Sequence, residues 1–292
     1  MREAVLVVAH GTVSSVDELP DFLRSIGHGR PPTAALLAEM RRRYQIVGRS
    51  PLLDVTREQA RRLGERVGRP VFVGMRLWHP RVEDALEQMA AAGFEQVTVL
   101  PLAPYSVALY HAAALTAQRS RPGAAALRLV PVSPWGSSPE LVAAHGAQIR
   151  AAPGFAAADA VVASFHSLPL AVVRRGDRYP EEVRAAVAAI GRELGRELTL
   201  AFQSRGAEGE WLGPDLRSVL EDVAARGRRR VLLAPVGFLA EHVETLYDLD
   251  VEARGWAGAL GLELERVPAL GASPRLIEAL AAVVERARAA AT

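Results

Sequence analysis

Eight short apolar runs recur along this 292-residue chain, and the stretches between them carry helical spacing. They lie at 4–9, 71–75, 97–102 and 127–132, and again at 160–165, 198–202, 231–236 and 262–267. The runs are apolar at successive rather than alternate positions, so strands formed from them are buried on both faces. Such strands pair in parallel and are covered by helices on both sides. One covering helix is legible after Pro180, a first-turn proline, where Val183, Val187, Ile190 and Leu194 form a single stripe.

The two sets of runs resemble each other. Ala4-Val5-Leu6-Val7-Val8-Ala9-His10-Gly11 parallels Ala160-Val161-Val162-Ala163-Ser164-Phe165-His166-Ser167. Val99-Leu100-Pro101-Leu102-Ala103-Pro104 parallels Leu233-Ala234-Pro235-Val236-Gly237-Phe238. The repeat is about half the chain, too long for a solenoid unit. The expectation is an α/β protein of two similar Rossmann-like halves, each a parallel sheet flanked by helices, with the active-site cleft between them. The halves are set at 1–140 and 141–292, joined near 134–152. No GxGxxG or Walker A pattern follows any strand, so a nucleotide is not the expected ligand.

Composition narrows the partners. The chain is 50% apolar and 23% charged, a globular balance. Lys and Arg total 35 against 33 Asp and Glu, a net charge of +2 that does not argue for nucleic acid. Arg41-Arg42-Arg43 and Arg228-Arg229-Arg230 read as solvated helix or turn faces. With no cysteine, disulfides, thiolate zinc sites and cysteine-bound iron–sulfur clusters are excluded. The start closes on His10-Gly11 too soon for a signal peptide. No apolar run approaches the ~20 residues a membrane span needs, and a cytoplasmic location is expected.

In an open α/β sheet, ligands bind beyond the carboxyl ends of the strands. His166 follows one run, and Ser167 and Pro169 then turn the chain out of the strand, which sets the imidazole at the mouth of the sheet. Glu244 stands among Val243, Leu246 and Tyr247, a half-buried setting in which a carboxylate needs a partner. A histidine and a carboxylate at strand ends can bind a metal ion and move protons near neutral pH. Glu244, Asp248 and Glu252 are four apart, so a helix over 242–254 sets them along one drifting face. Like charges there call for a cation or arginines, while a solvated acidic face is the plainer reading for Glu252. His10 repeats the setting of His166 and reads equally as a ligand or as a turn residue beside Gly11. Loops at 49–52, where Ser50 precedes Pro51 as a helix cap, at 75–80 and at 203–215 bring Trp, Arg and His near strand ends. That set suits a flat, anionic aromatic ligand.

These motifs resemble the ferrochelatase family, enzymes that insert ferrous iron into a porphyrin. The resemblance covers nearly the whole chain. It is strongest at Ser164-Phe165-His166-Ser167-Leu168-Pro169, at Phe202-Gln203-Ser204 with Trp211-Leu212-Gly213-Pro214, and at Pro235-Val236-Gly237-Phe238 with Glu241-His242-Val243-Glu244-Thr245-Leu246-Tyr247. Arg43-Tyr44 with Ser50-Pro51-Leu52, and Arg76 with Trp78-His79-Pro80, also match. The resemblance implies that His166 is a metal ligand or proton acceptor and Glu244 the opposing carboxylate. Asp248 and Glu252 match an acidic line that carries hydrated metal, a candidate site for an accessory divalent cation. Arg43 matches an arginine near the porphyrin propionates, Phe238 an aromatic contact in the same pocket, and Ser50, His10 and Arg30 are further expected porphyrin contacts. His10 stands where small Gram-positive enzymes carry tyrosine and animal enzymes methionine. Paired arginines of the Gram-positive enzymes are Gly27 and His28 here, although Arg30 remains.

Insertion requires a site that bends the macrocycle, accepts two pyrrole protons and delivers a partly desolvated Fe²⁺. A neutral His166 and an ionised Glu244 suit those tasks. Fe²⁺ is then a substrate, with no tightly bound cofactor and no iron–sulfur cluster. Coproporphyrin III is the favoured porphyrin and protoporphyrin IX the other, in a monomer with at most peripheral membrane contact. Two other readings are a non-catalytic tetrapyrrole carrier and a cobalt or nickel chelatase of corrinoid synthesis. The carrier reading leaves the carboxylate opposite the histidine unexplained.

Overall fold

The computed structural model describes residues 2–206 and 209–291. Among them the eight expected strands form two four-stranded sheets in which every neighbouring pair is parallel. The first contains β1 (Glu3–Ala9), β2 (Val71–Met75), β3 (Gln96–Pro101) and β4 (Arg128–Pro131), in the order β2-β1-β3-β4. The second contains β5 (Ala160–His166), β6 (Thr199–Gln203), β7 (Arg230–Ala234) and β8 (Glu263–Arg266), in the order β6-β5-β7-β8. The order is the same in both, so the sequence repeat is a repeat of topology. Central strands explain the unbroken apolar runs: six of the seven residues of β1 are buried, as are six of seven in β5.

The first unit holds α1 (Leu19–Ile26) and α2 (Ala34–Val47), which pack on each other, and α3 (Leu52–Val67), α4 (Val82–Ala91) and α5 (Val107–Arg119), which flank the first sheet. Leu6 and Val8 pack there against Leu86 and Met89 of α4 and Tyr110 and Ala114 of α5. The second unit holds α6 (Pro139–Arg150), α7 (Leu170–Val173), α8 (Tyr179–Leu194), α9 (Leu216–Ala225) and α10 (Arg254–Ala259). Pro180 does stand in the first turn of α8, and Val183, Val187 and Ile190 are buried. Asp215 caps α9 by accepting from Ser218 N at 3.1 Å. Ser50 does not cap α3 as expected. Pro51 takes the cap position in helical backbone conformation, which leaves Ser50 one residue too early, its hydroxyl 3.5 Å from Leu52 N.

The chain divides into two compact units, but not at 140/141 with everything beyond in the second. The first runs to Trp135 and resumes at Ala272; the second is Gly136–Gly271. The last helix, α11 (Pro274–Ala291), follows β8 yet packs on α3, β3 and β4. Conversely α6 follows β4 and packs on α8 of the second unit. Topologically equivalent helices have been exchanged. Ion pairs hold α11 in place: Arg66–Glu278 at 2.7 Å, Arg69–Glu285 at 2.6 Å and Arg288–Glu3 at 2.7 Å. Among the described residues, no helix is long and apolar enough to cross a membrane.

Candidate active site

In the order β6-β5-β7-β8 the connection leaving β5 runs to one side and the connection leaving β7 to the other, which makes the carboxyl ends of β5 and β7 the topological switch point where ligands bind in such sheets. His166 is the last residue of β5 and pairs in register with Gln203. Its backbone is fixed there: Tyr179 donates its hydroxyl to the His166 carbonyl at 2.9 Å, and Ser167 N donates to Gln203 O at 2.8 Å. The imidazole Nδ1 lies 2.5 Å from the Ser167 carbonyl, which can only accept, so Nδ1 carries a hydrogen and Nε2 faces outward.

The second half of the site comes from the segment after β7. Gly237 N donates to Ser164 O at 2.9 Å, and a Cβ on Gly237 would lie 2.8 Å from Phe165 Cα. Only glycine lets this segment run so close to the strand that ends in His166. Phe238 then lies against His242, ring centroids 5.0 Å apart. His242 Nε2 is 3.2 Å from Glu244 Oε2, and His166 Nε2 is 3.5 Å from the same oxygen. One carboxylate oxygen is thus flanked by two imidazoles.

Burial opposes a charge on His166, but the Glu244 carboxylate beside it outweighs burial and raises its pKa to about 9. Burial likewise opposes the charge on Glu244, and His166 and His242 overcome it, holding that carboxyl well below the usual carboxylate range. At neutral pH the two groups form an imidazolium–carboxylate pair, each side chain about a third exposed.

Val243 and Glu244 open a continuous helical stretch whose next nine residues, Thr245–Ala253, form a π-helix. The expected helix over 242–254 is therefore present in a wider form, with i→i+5 hydrogen bonds, so residues four apart are less than a full turn apart. Asp248 is buried on it and accepts a short hydrogen bond from Ser204, a non-glycine residue at φ 60°. Gln203 Nε2 reaches the Glu244 carbonyl at 3.5 Å. Glu252 lies one step further along, partly exposed. Among the described residues, no three His, Cys, Asp or Glu side chains converge as a closed cation site.

The remaining expected contacts lie in the first unit. His10 directly follows β1, exposed, with its carbonyl accepting from Leu77 N at 2.9 Å. Gly11 beside it has φ 108° and sits where a Cβ would meet Trp78 N at 2.9 Å. Arg43 on α2 donates to Glu39 at 2.8 Å, and hydrogen bonds from Arg42 and Arg43 lower the Glu39 pKa to about 2. Arg30 donates to the Gly27 carbonyl at 3.2 Å, and Ser50 is buried. In the sequence His242 stands only as part of the frame around Glu244, and its place two residues before that carboxylate is the signal it offers.

Two parallel sheets of the same strand order, with a histidine and a carboxylate meeting at a switch point, define a chelatase-type α/β protein. SirB from Bacillus subtilis with Fe³⁺ has the same fold, with a TM-score of 0.60 and 15% identity over 100% of this chain and 97% of that one. CbiX, the terminal enzyme for siroheme biosynthesis in denitrifying bacteria, gives 0.56 and 18% over 97% and 98%. The chain belongs to the ferrochelatase family, whose model matches residues 2–288. The ferrochelatase of Acidobacterium capsulatum is 33% identical over 97% of this chain and 94% of its own. The coproporphyrin III ferrochelatase of Anoxybacillus flavithermus is 32% identical over 96% and 94%. The chain is accordingly a porphyrin metal chelatase, inserting ferrous iron in haem biosynthesis, and neither the carrier nor the corrinoid reading is favoured.

Proposed function

We propose that His166 and Glu244 perform the insertion, with coproporphyrin III as the favoured substrate and protoporphyrin IX as the alternative. The observation that carries this reading is the 3.5 Å contact between His166 Nε2 and Glu244 Oε2 at the β5/β7 switch point. Two ligands about 2.1 Å from one cation, at a tetrahedral angle, stand roughly 3.4 Å apart, so the pair accepts a metal with little movement. In the unliganded pair the imidazole holds a proton. Glu244 takes the incoming Fe²⁺ first; the added positive charge drives the proton from Nε2 to solvent, and the freed lone pair holds iron or accepts a pyrrole proton. A metal held by two protein groups keeps open positions, which transfer to ring nitrogens requires.

Asp248 and Glu252 extend the acidic line along which Fe²⁺ arrives, and an accessory divalent cation is assigned there. His10, Arg30, Arg43, Ser50 and Phe238 are assigned to the porphyrin, the arginines to its carboxylates. The preference for coproporphyrin III is supported by the names of two relatives, from Anoxybacillus flavithermus and Geobacillus kaustophilus. The reading includes a cytoplasmic monomer with at most peripheral membrane contact and no iron–sulfur cluster.

The test is anaerobic insertion kinetics beside porphyrin affinity by fluorescence quenching. Glu244→Gln keeps the size of the side chain but cannot ionise. Turnover should fall about 100-fold, the lower range for lost acid–base chemistry, with porphyrin affinity kept. His166→Ala should abolish turnover with an unchanged circular dichroism spectrum. Full turnover in either variant overturns the assignment. Rates on the two porphyrins at matched Fe²⁺ decide the substrate.

A further inference from the structure

Arg266 ends β8, the edge strand of the second sheet, well after His166 in the chain and beyond the helix that follows Glu244. Its backbone is held by the sheet: it pairs in register with Leu233, and Val267 N donates to Leu233 O at 2.9 Å. Its guanidinium is nearly buried, the side chain only 12% exposed, and it points at acid on two sides. Nε and Nη2 donate to the two carboxylate oxygens of Asp250 at 2.7 and 2.8 Å, a bidentate pair. Nη1 donates to Glu241 Oε1 at 2.7 Å.

Those two acids bracket Glu244. Glu241 lies three residues before it, in the turn that also carries His242. Asp250 lies six residues after it, inside the π-helix. Glu241 Oε1 also accepts from Ala269 N at 2.8 Å. A carboxylate so placed depends on the guanidinium and would be left as a poorly compensated buried charge without it. A π-helix is a rare form of backbone that occurs frequently at functional sites, and here the end of a paired strand grips it through Asp250.

We propose that Arg266 is a positioning residue for insertion: it ties both flanks of the Glu244 segment to the end of β8 and so holds Glu244 Oε2 within reach of His166 Nε2. The inference rests on the role assigned to Glu244 above. Arg266 itself touches neither member of the pair. Lysine cannot replace it fully, because a single ammonium lacks the planar fork that meets Asp250 with two bonds and Glu241 with a third.

The test uses the full-length protein with Arg266→Met, Arg266→Lys, Asp250→Asn and Glu244→Gln in parallel. Three readouts are insertion turnover, porphyrin affinity by fluorescence quenching, and amide hydrogen exchange. For Arg266→Met, turnover should fall at least tenfold with porphyrin affinity within twofold, and faster exchange should be confined to residues 241–253. Arg266→Lys should recover part of the turnover. Where Arg266→Met fails to fold, Asp250→Asn supplies the same readouts, since it weakens the grip on the π-helix and leaves the Glu241 contact. Turnover within twofold of the parent overturns the proposal. So does exchange that rises throughout the second sheet, which would mark a merely stabilising ion network. If Glu244→Gln keeps full turnover, the role of Glu244 fails whatever Arg266 does. If Glu244→Gln is slow and Arg266→Met is not, the brace alone fails.

Discussion

One oxygen, Glu244 Oε2, lies 3.5 Å from one imidazole nitrogen and 3.2 Å from another, and this contact depends on a residue with no side chain. Gly237 passes so close to Phe165 that a methyl group would sit 2.8 Å from a backbone carbon, which cannot rotate aside. Gly237→Ala should therefore displace the end of β5 together with His166. Overpacking of this kind costs about 1–3 kcal/mol. The expected outcome is a lowered thermal midpoint and reduced insertion. Gly255 in α10 is the control, because a Cβ there meets nothing within 4 Å. Gly255→Ala removes a poor helix former and should raise the midpoint with turnover unchanged. Equal midpoints for the two variants would contradict the close-approach argument.

At the scale of elements, α6 carries a histidine that no part of the proposed mechanism uses. His145 is buried, its Nε2 has no hydrogen-bond partner among the described residues, and burial pushes its pKa down to about 4. The unfolded chain binds a proton on this group near pH 6.5, and the folded chain only near pH 4. Between those values the unfolded state holds more protons, so stability falls as the pH drops through that window. The full difference is roughly 3 kcal/mol at one pKa unit per 1.36 kcal/mol. His145→Leu should flatten the fall in urea midpoint between pH 7 and pH 4.5 relative to the parent protein. An identical pH slope in parent and variant would show that the imidazole is solvated in the folded state. The same scale explains why the acidic line was only partly legible. Spacing of four was readable, whereas the i→i+5 bonding of Thr245–Ala253 was not, because α and π turns make the same demands on local composition.

For the whole molecule, the decisive element is the last one. Leu276, Ile277, Leu280, Val283 and Val284 of α11 are buried in the first unit. At about 1.5–3 kcal/mol for each large aliphatic side chain, their removal forfeits roughly 10 kcal/mol. Total domain stability is typically about 5–15 kcal/mol. A chain ending at Gly271 should therefore lose the first unit while keeping the second. Hydrogen exchange should become fast across β1–β4 and stay slow across β5 and β7. Uniform protection in the truncated chain would mean that the first sheet needs no cover from α11.

The sequence by itself determined the eight strands, the two-fold repeat, and the placing of His166 at the end of its strand. Those features are written locally: an unbroken apolar run demands burial on both faces, and a turn residue after it marks where a side chain emerges. The tertiary structure alone decided which unit α11 covers, since an amphipathic stripe states that a face is buried but not against what. It also decided the link from Arg266 to Asp250 and Glu241, residues 16 and 25 positions apart. In the sequence each is an ordinary charged residue. Only the pairing of β7 with β8 brings that guanidinium to the two acids, and strand pairing is a non-local choice that periodicity does not encode.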